Sequence, residues 1–301
     1  MGKFGDLIGA ARHAVESADP VPGLFRLSGG LTHDVFEADA AGERLAIKVY
    51  RSWERAEPDR EWQALCALGE LGLGPKPIFF SPGATGERPV VVMGWLPGRS
   101  RGAADLDAED LAAIVGAHRA LHRLSVRSTH QAQGDPLTVL GRIREMMSSW
   151  DDAAPHLQDQ PAEVHAAGKA AQRWLEDDEP DLFAGTVLEV FGRGDPNPTN
   201  YLWMERRVTM IDFEGAGLTD PALELADLFE HAGSRALSLG YWPLGCDLYE
   251  LDRPGRLRAR AGRNLAACFW LAVLHSRARH GAEPLNLTLP EQAARVVELL
   301  G

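Results

Sequence analysis

The chain reads as an α+β protein of two lobes, a small β-rich N-terminal lobe and a larger helical C-terminal lobe. Short strand-like runs dominate up to Trp95, and helical periodicity dominates after Pro97-Gly98. With 301 residues, 45% hydrophobic and 25% charged, the composition is that of a globular protein with a sizeable core. The joint at Trp95 to Gly98 is short, which predicts a hinge with a cleft and a division into residues 1–96 and 97–301.

Within the first lobe, Val35 to Ala38, Leu45 to Tyr50 and Pro89 to Met93 carry the β-favouring runs. One helix interrupts them, Pro58 to Leu71, with Trp62, Leu65, Leu68 and Leu71 at three-residue spacing and Gly72 to Pro77 closing it. Helices follow over 106–124, 136–150, 161–175, 223–239, 256–280 and 290–300. Between them, Tyr201 to Met204 and Val208 to Ile211 read as a hairpin joined by Glu205-Arg206-Arg207. The run Glu176 to Asp181 reads as a solvated acidic loop.

Charge and cysteine usage exclude several classes. The net charge of −12 gives nucleic acid little electrostatic reason to bind. Cys66, Cys246 and Cys268 are too few and too scattered for a disulfide framework or a four-ligand zinc site. Met1 to Val15 has no signal-peptide core, and the apolar run Leu265 to Leu274 is about half the roughly 20 residues needed to cross a bilayer. A cytoplasmic protein without membrane or nucleic-acid partners is expected.

The densest chemistry lies in Phe191 to Glu214, FGRGDPNPTNYLWMERRVTMIDFE. The hairpin is expected to bring its open ends together, so that Asp195, Asn200 and Asp212 converge. A carboxylate to orient a hydroxyl and hard oxygen ligands for magnesium are what phosphoryl transfer requires. The same Asp-Pro and Asn residues also supply ordinary turns. In the first lobe, the turn containing Ser28, Gly29, Gly30 and Thr32 lets backbone N–H groups approach phosphates. Lys48 lies inside the apolar strand Leu45 to Tyr50 and needs a partner there, and Glu61 on the following helix is the candidate.

The ordered set SGGLTHDVF, AIKVY, EWQALCAL, VVVMGWLPG, ALHRL, RGDPNPTNYLW and IDFEGAGLTDPALELADL resembles the aminoglycoside phosphotransferase family, which is itself similar to choline kinases, over most of the chain. The resemblance implies a bilobal protein-kinase-like fold, with 1–96 as the nucleotide-binding lobe and 97–301 as the catalytic and substrate-binding lobe. It implies ATP as donor, with GTP as the occasional alternative, and transfer of the γ-phosphoryl group to a hydroxyl of an antibiotic or a metabolite. On the matching positions, Lys48 would contact the α- and β-phosphates and Glu61 would hold it. Adenine would meet the hinge backbone around Gly94 and Leu96 behind Met93. Asp195 takes the catalytic position, and Asn200 and Asp212 take those of the Mg2+ ligands.

The match departs from the family where Arg193-Gly194-Asp195 replaces the usual His-Gly-Asp. The expectation is that Arg193 braces the loop through backbone carbonyls or a carboxylate such as Asp212. A nucleotide-binding pseudokinase with a regulatory role is the alternative this departure raises. Asp220-Pro221 reads as a helix cap, and Glu224 and Asp227 either support the metal loop or decorate the helix. His122 reads as a packed, hydrogen-bonded residue. For the acceptor, Glu230, His231, Asp247, Glu250 and Asp252 beside Trp242, Tyr249 and Trp270 offer carboxylates and aromatic faces that suit a cation, although core aromatics with solvated charges explain each residue better.

Overall fold

A computed structural model describes residues 4–17, 20–27, 33–40, 42–51, 58–69, 71–84, 86–124, 136–177, 183, 189–282 and 285–301. The chain divides into two compact units, Met1–Arg99 with Tyr201–Ala216, and Ser100–Asn200 with Gly217–Gly301. The hairpin after Asn200 therefore groups with the first unit, although it follows the joint in sequence.

In the first unit, helix α1 (Gly5–Glu16) precedes strands β1 (Leu24–Arg26), β2 (His33–Ala40) and β3 (Glu43–Tyr50), helix α2 (Pro58–Leu68), and strands β4 (Pro77–Ser81) and β5 (Val90–Gly94). The strands form one antiparallel sheet in the order β1-β2-β3-β5-β4. Alternation along β3 decides what each face carries. Leu45, Ile47 and Val49 join Phe36, Ala38, Val90 and Val92 in a core covered by Ile8, Ala11 and Ala14 of α1. Lys48 and Tyr50 point to the other face, and His33, paired across the ladder with Tyr50, shares it. The expected helix to Leu71 ends at Leu68, where Gly69 follows. The hairpin pairs Tyr201–Met204 with Arg207–Met210, and Ile211, expected in the strand, lies beyond it.

The second unit is built from helices α3 (Ala108–His122), α4 (Pro136–Met147), α5 (Ala162–Glu176), α6 (Pro221–Glu230), α7 (Trp242–Leu248), α8 (Arg253–Arg279) and α9 (Leu289–Leu300). Apolar residues of α4, α5, α8 and α9 form its main core, including Ile143, Ala167, Trp174, Leu271 and Val296. Asp220 caps α6 through the Ala222 N–H, with Pro221 in the first turn, and is held by Arg258 Nε at 2.8 Å. The helix expected over 223–239 stops at Glu230, because His231 adopts extended angles and its ring captures the Gly233 N–H. A two-stranded pair, Val190–Gly192 with Gly217–Thr219, flanks the segment that carries Asp195.

Candidate active site

On the polar face of the first unit's sheet, Lys48 is the organising residue. It is 5% exposed, and burying an ammonium there requires compensating charge. Glu61 supplies it at 2.8 Å, Asp212 at 2.7 Å and Glu214 at 3.0 Å. Burial alone would push the Lys48 pKa down, but the Asp212 and Glu61 charges outweigh it and hold the ammonium well above its ordinary range. Glu61 also accepts the Tyr50 hydroxyl and, at 3.2 Å, the Phe213 N–H, so α2 is tied to the residue following Asp212.

Asp212 itself adopts φ 63°, a left-handed conformation tolerated by aspartate better than by most residues, which turns its side chain out of the strand direction. Glu214 lies 2.8 Å from His33 Nε2. Burial raises the Glu214 pKa, yet His33 and Lys48 together bring it down to about 2. Glu61, Asp212 and Glu214 offer carboxylate oxygens within 4.8 Å of one another. Such hard oxygen donors suit magnesium, and Lys48 is a cation all three of them share.

In the second unit, Arg193 to Asn200 form a loop fixed from beneath by α6. The Arg193 side chain is fully buried, its N–H donates to Glu224 Oε1 at 2.7 Å, and its Nε donates to the Asp195 carbonyl at 2.5 Å. The brace expected of Arg193 through a backbone carbonyl is therefore present. Glu224 receives His122 Nε2 at 2.6 Å and has His118 Nδ1 at 3.4 Å. Burial raises its pKa, and His118, His122 and the Arg193 N–H reverse this to about 2. A Cβ at Gly192 would lie 2.5 Å from Thr219 and 2.7 Å from Glu224 Oε1, so glycine there admits the carboxylate beneath the loop.

The Asp195 carboxylate is oriented on both oxygens. Oδ1 accepts the Asn197 N–H at 3.1 Å, and Oδ2 accepts the Asn200 amide at 3.0 Å. An Asn200 that donates through Nδ2 presents Oδ1 as its acceptor. His231 Nε2 lies 3.3 Å from Asp195 Oδ1.

A family model described as "Phosphotransferase enzyme family" (APH) matches residues 24–262. The chain belongs to this family. Among solved structures, a choline/ethanolamine kinase family protein from Mesorhizobium loti is similar at 18% identity and TM-score 0.69, covering 96% of this chain and 93% of its own. The choline kinase LicA from Streptococcus pneumoniae follows at 17% identity and TM-score 0.66, with 98% and 99% covered. The aminoglycoside phosphotransferase APH(4)-Ia, solved with AMP-PNP and hygromycin B, has 15% identity, TM-score 0.63 and 96% of each chain covered. No curated protein matches the chain. The fold is thus that of the protein-kinase-like phosphotransferases, with a β-rich N-terminal part and a helical C-terminal part.

Of the phosphotransferase site expected from sequence, Lys48, Glu61 and Asp212 lie together in the first unit, and Asp195 and Asn200 lie together in the second. Met93 is buried at the end of β5. The Gly94 N–H donates to the Lys76 carbonyl at 2.8 Å and the Trp95 N–H to the Arg44 carbonyl at 3.0 Å, so both donors serve the fold, and Leu96 follows them. Ser28, Gly29, Gly30 and Thr32 lie outside the described residues. Sequence reasoning missed His33, Tyr50 and Glu214 around Lys48 and His118 under the loop; of the two readings open for Glu224, support of the loop fits its bond from the Arg193 N–H. The only available signal was the Glu214 of IDFE, two residues after Asp212 and so on the same side of an extended segment.

Proposed function

We propose that this phosphotransferase moves the γ-phosphoryl group of ATP to a hydroxyl of a small molecule. The observation that carries the reading is the Lys48 ammonium gathered by Glu61, Asp212 and Glu214, a buried cation held among oxygen ligands on the strand face where phosphates would need it. AMP-PNP in the related APH(4)-Ia supports ATP as donor. Lys48 neutralises α- and β-phosphate charge, and Glu61, with its Tyr50 and Phe213 donors, keeps it in position. Asp212 and Asn200 would hold Mg2+, with Glu214 as a further carboxylate; the ion, when bound, offsets charge on the transferring group. Met93, Gly94 and Leu96 would meet adenine, and Ser28, Gly29, Gly30 and Thr32 would serve phosphate binding.

Asp195 orients the acceptor hydroxyl and takes its proton late, as the loose transition state of phosphoryl transfer requires. Its Oδ2 has one donor, from Asn200, and a lone pair left for that proton. The pseudokinase alternative finds no support in the family match or its neighbours, and the Arg193 brace meets the need that raised it. Kinases of choline and ethanolamine and a hygromycin B complex among the structural relatives support an alcohol-bearing acceptor, either an antibiotic or a metabolite. Coupled ADP release with Mg-ATP over aminoglycosides, cyclic peptide antibiotics, macrolides, nucleosides and amino alcohols tests the reading. Turnover stimulated by one class is expected, and phosphorylation of protein extracts in place of any of them would overturn it.

A further inference from the structure

His231 stands where the expected helix breaks. Its Nδ1 accepts the Gly233 N–H at 3.0 Å, closing a tight turn. A neutral imidazole whose Nδ1 accepts must carry its proton on Nε2. Burial, against the Asp195 charge, lowers the His231 pKa, with Arg193 and Arg235 adding to the effect, which favours the neutral ring that the Gly233 bond requires. Trp270 packs edge-on against the ring, with centroids 4.9 Å apart, and restricts its rotation. The turn is also fitted to the Asp195 loop. A Cβ at Gly233 would lie 2.6 Å from Asn197 Oδ1, the atom that receives the Thr199 N–H, so a side chain there would displace the Asn197 amide from that bond.

His231 Nε2 thus lies 3.3 Å from Asp195 Oδ1, the oxygen that already accepts the Asn197 N–H. A second donor drawn onto Oδ1 would leave Oδ2, which has the Asn200 amide alone, as the oxygen with unshared capacity. We infer that His231 is a positioning residue for phosphoryl transfer, its Nε2–H fixing the Asp195 carboxylate so that Oδ2 receives the acceptor's proton. The inference rests on the catalytic reading of Asp195 given above. Long contacts of this kind in ligand-free enzymes tighten in the reacting complex.

Substitutions separate this role from the turn. His231→Asn keeps an acceptor for the Gly233 N–H and loses the Nε2 donor, whereas His231→Gln reaches toward the Nε2 position. Mg-ATP hydrolysis with water as acceptor provides a rate that needs no identified substrate. His231→Asn should lower kcat by about tenfold or more, as loss of one hydrogen bond to a charged group implies, with KM for ATP within a few-fold. His231→Gln should recover part of that loss. In 15N-histidine spectra of the full chain, the resonances that vanish in His231→Asn should show the Nε2–H tautomer and shift in Asp195→Asn. A Nδ1–H tautomer, or resonances indifferent to Asp195→Asn, would overturn the inference. So would a His231→Asn rate equal to wild type while Asp195→Asn is impaired. If Asp195→Asn itself retains the rate, the catalytic reading fails and this inference falls with it.

Discussion

Lys48 is the residue on which the first unit's polar face depends. Three carboxylates within 4.8 Å of one another share its single charge, so removing it leaves an excess of negative charge around buried Glu61. Lys48→Met should therefore lower the melting temperature. The same variant should also gain stabilisation from Mg2+ alone that wild type lacks, because the carboxylates lose their internal cation. Thermal shifts with and without the ion check this, and equal shifts in both proteins would remove the carboxylate cluster from the metal reading. Asp212→Asn keeps the shape of a 36% exposed side chain while removing one charge. Its ligand-free melting temperature should stay near wild type, and protection by Mg-ATP over ATP without the ion should disappear. Retained protection would show that Asp212 is no ligand.

At the scale of elements, α6 carries the support for the Asp195 loop. Glu224, Asp227 and Glu230 fall at three-residue spacing on it, and each is treated differently by its neighbours. Glu224 is matched by His118, His122 and the Arg193 N–H, and Glu230 by Arg263 at 2.7 Å and Arg295 at 2.9 Å. At Asp227 the Arg193 charge is outweighed, and burial together with the Asp195 and Glu224 charges pushes its pKa from 3.8 up to about 8. A raised folded-state pKa means that the folded chain holds this proton more tightly than the unfolded one. The contribution is complete below the unfolded value of 3.8 and is lost as pH rises through about 8. Between about pH 5 and about pH 9, wild type should lose more stability than Asp227→Asn, which has no proton to release. Melting curves of the two across that window check the sign, and parallel profiles would show that Asp227 ionises normally in the fold.

For the molecule as a whole, legibility followed the range of the interactions. Lys48 inside the apolar strand Leu45 to Tyr50 called for a partner, and Glu61, 13 residues on, was it. Asp195 and Asn200, five apart on one loop, were equally readable. Contacts without a local pattern were not. Glu214 meets Lys48 across 166 residues, and His122 meets Glu224 across 102. Helix α1 went unread because its segment was weighed only as a leader, although Ile8, Ala11 and Ala14 carry helical spacing. The break at His231 was hidden within an apolar, helix-compatible stretch, since a ring nitrogen capturing a backbone N–H leaves no trace in hydropathy. No helix among the described residues is long and apolar enough to cross a membrane.

The central claim is that Asp195 performs chemistry and does not merely shape a turn. Asp195→Asn preserves side-chain shape and removes both charge and basicity. The measurement is turnover of Mg-ATP against nucleotide affinity in the two proteins, with the acceptor that most stimulates wild type. General-base contributions of roughly 100 to 10,000-fold predict a loss of turnover in that range, with Mg-ATP affinity within a few-fold of wild type. An asparagine variant that binds Mg-ATP normally and turns over within about threefold of wild type, far short of that range, would contradict the account.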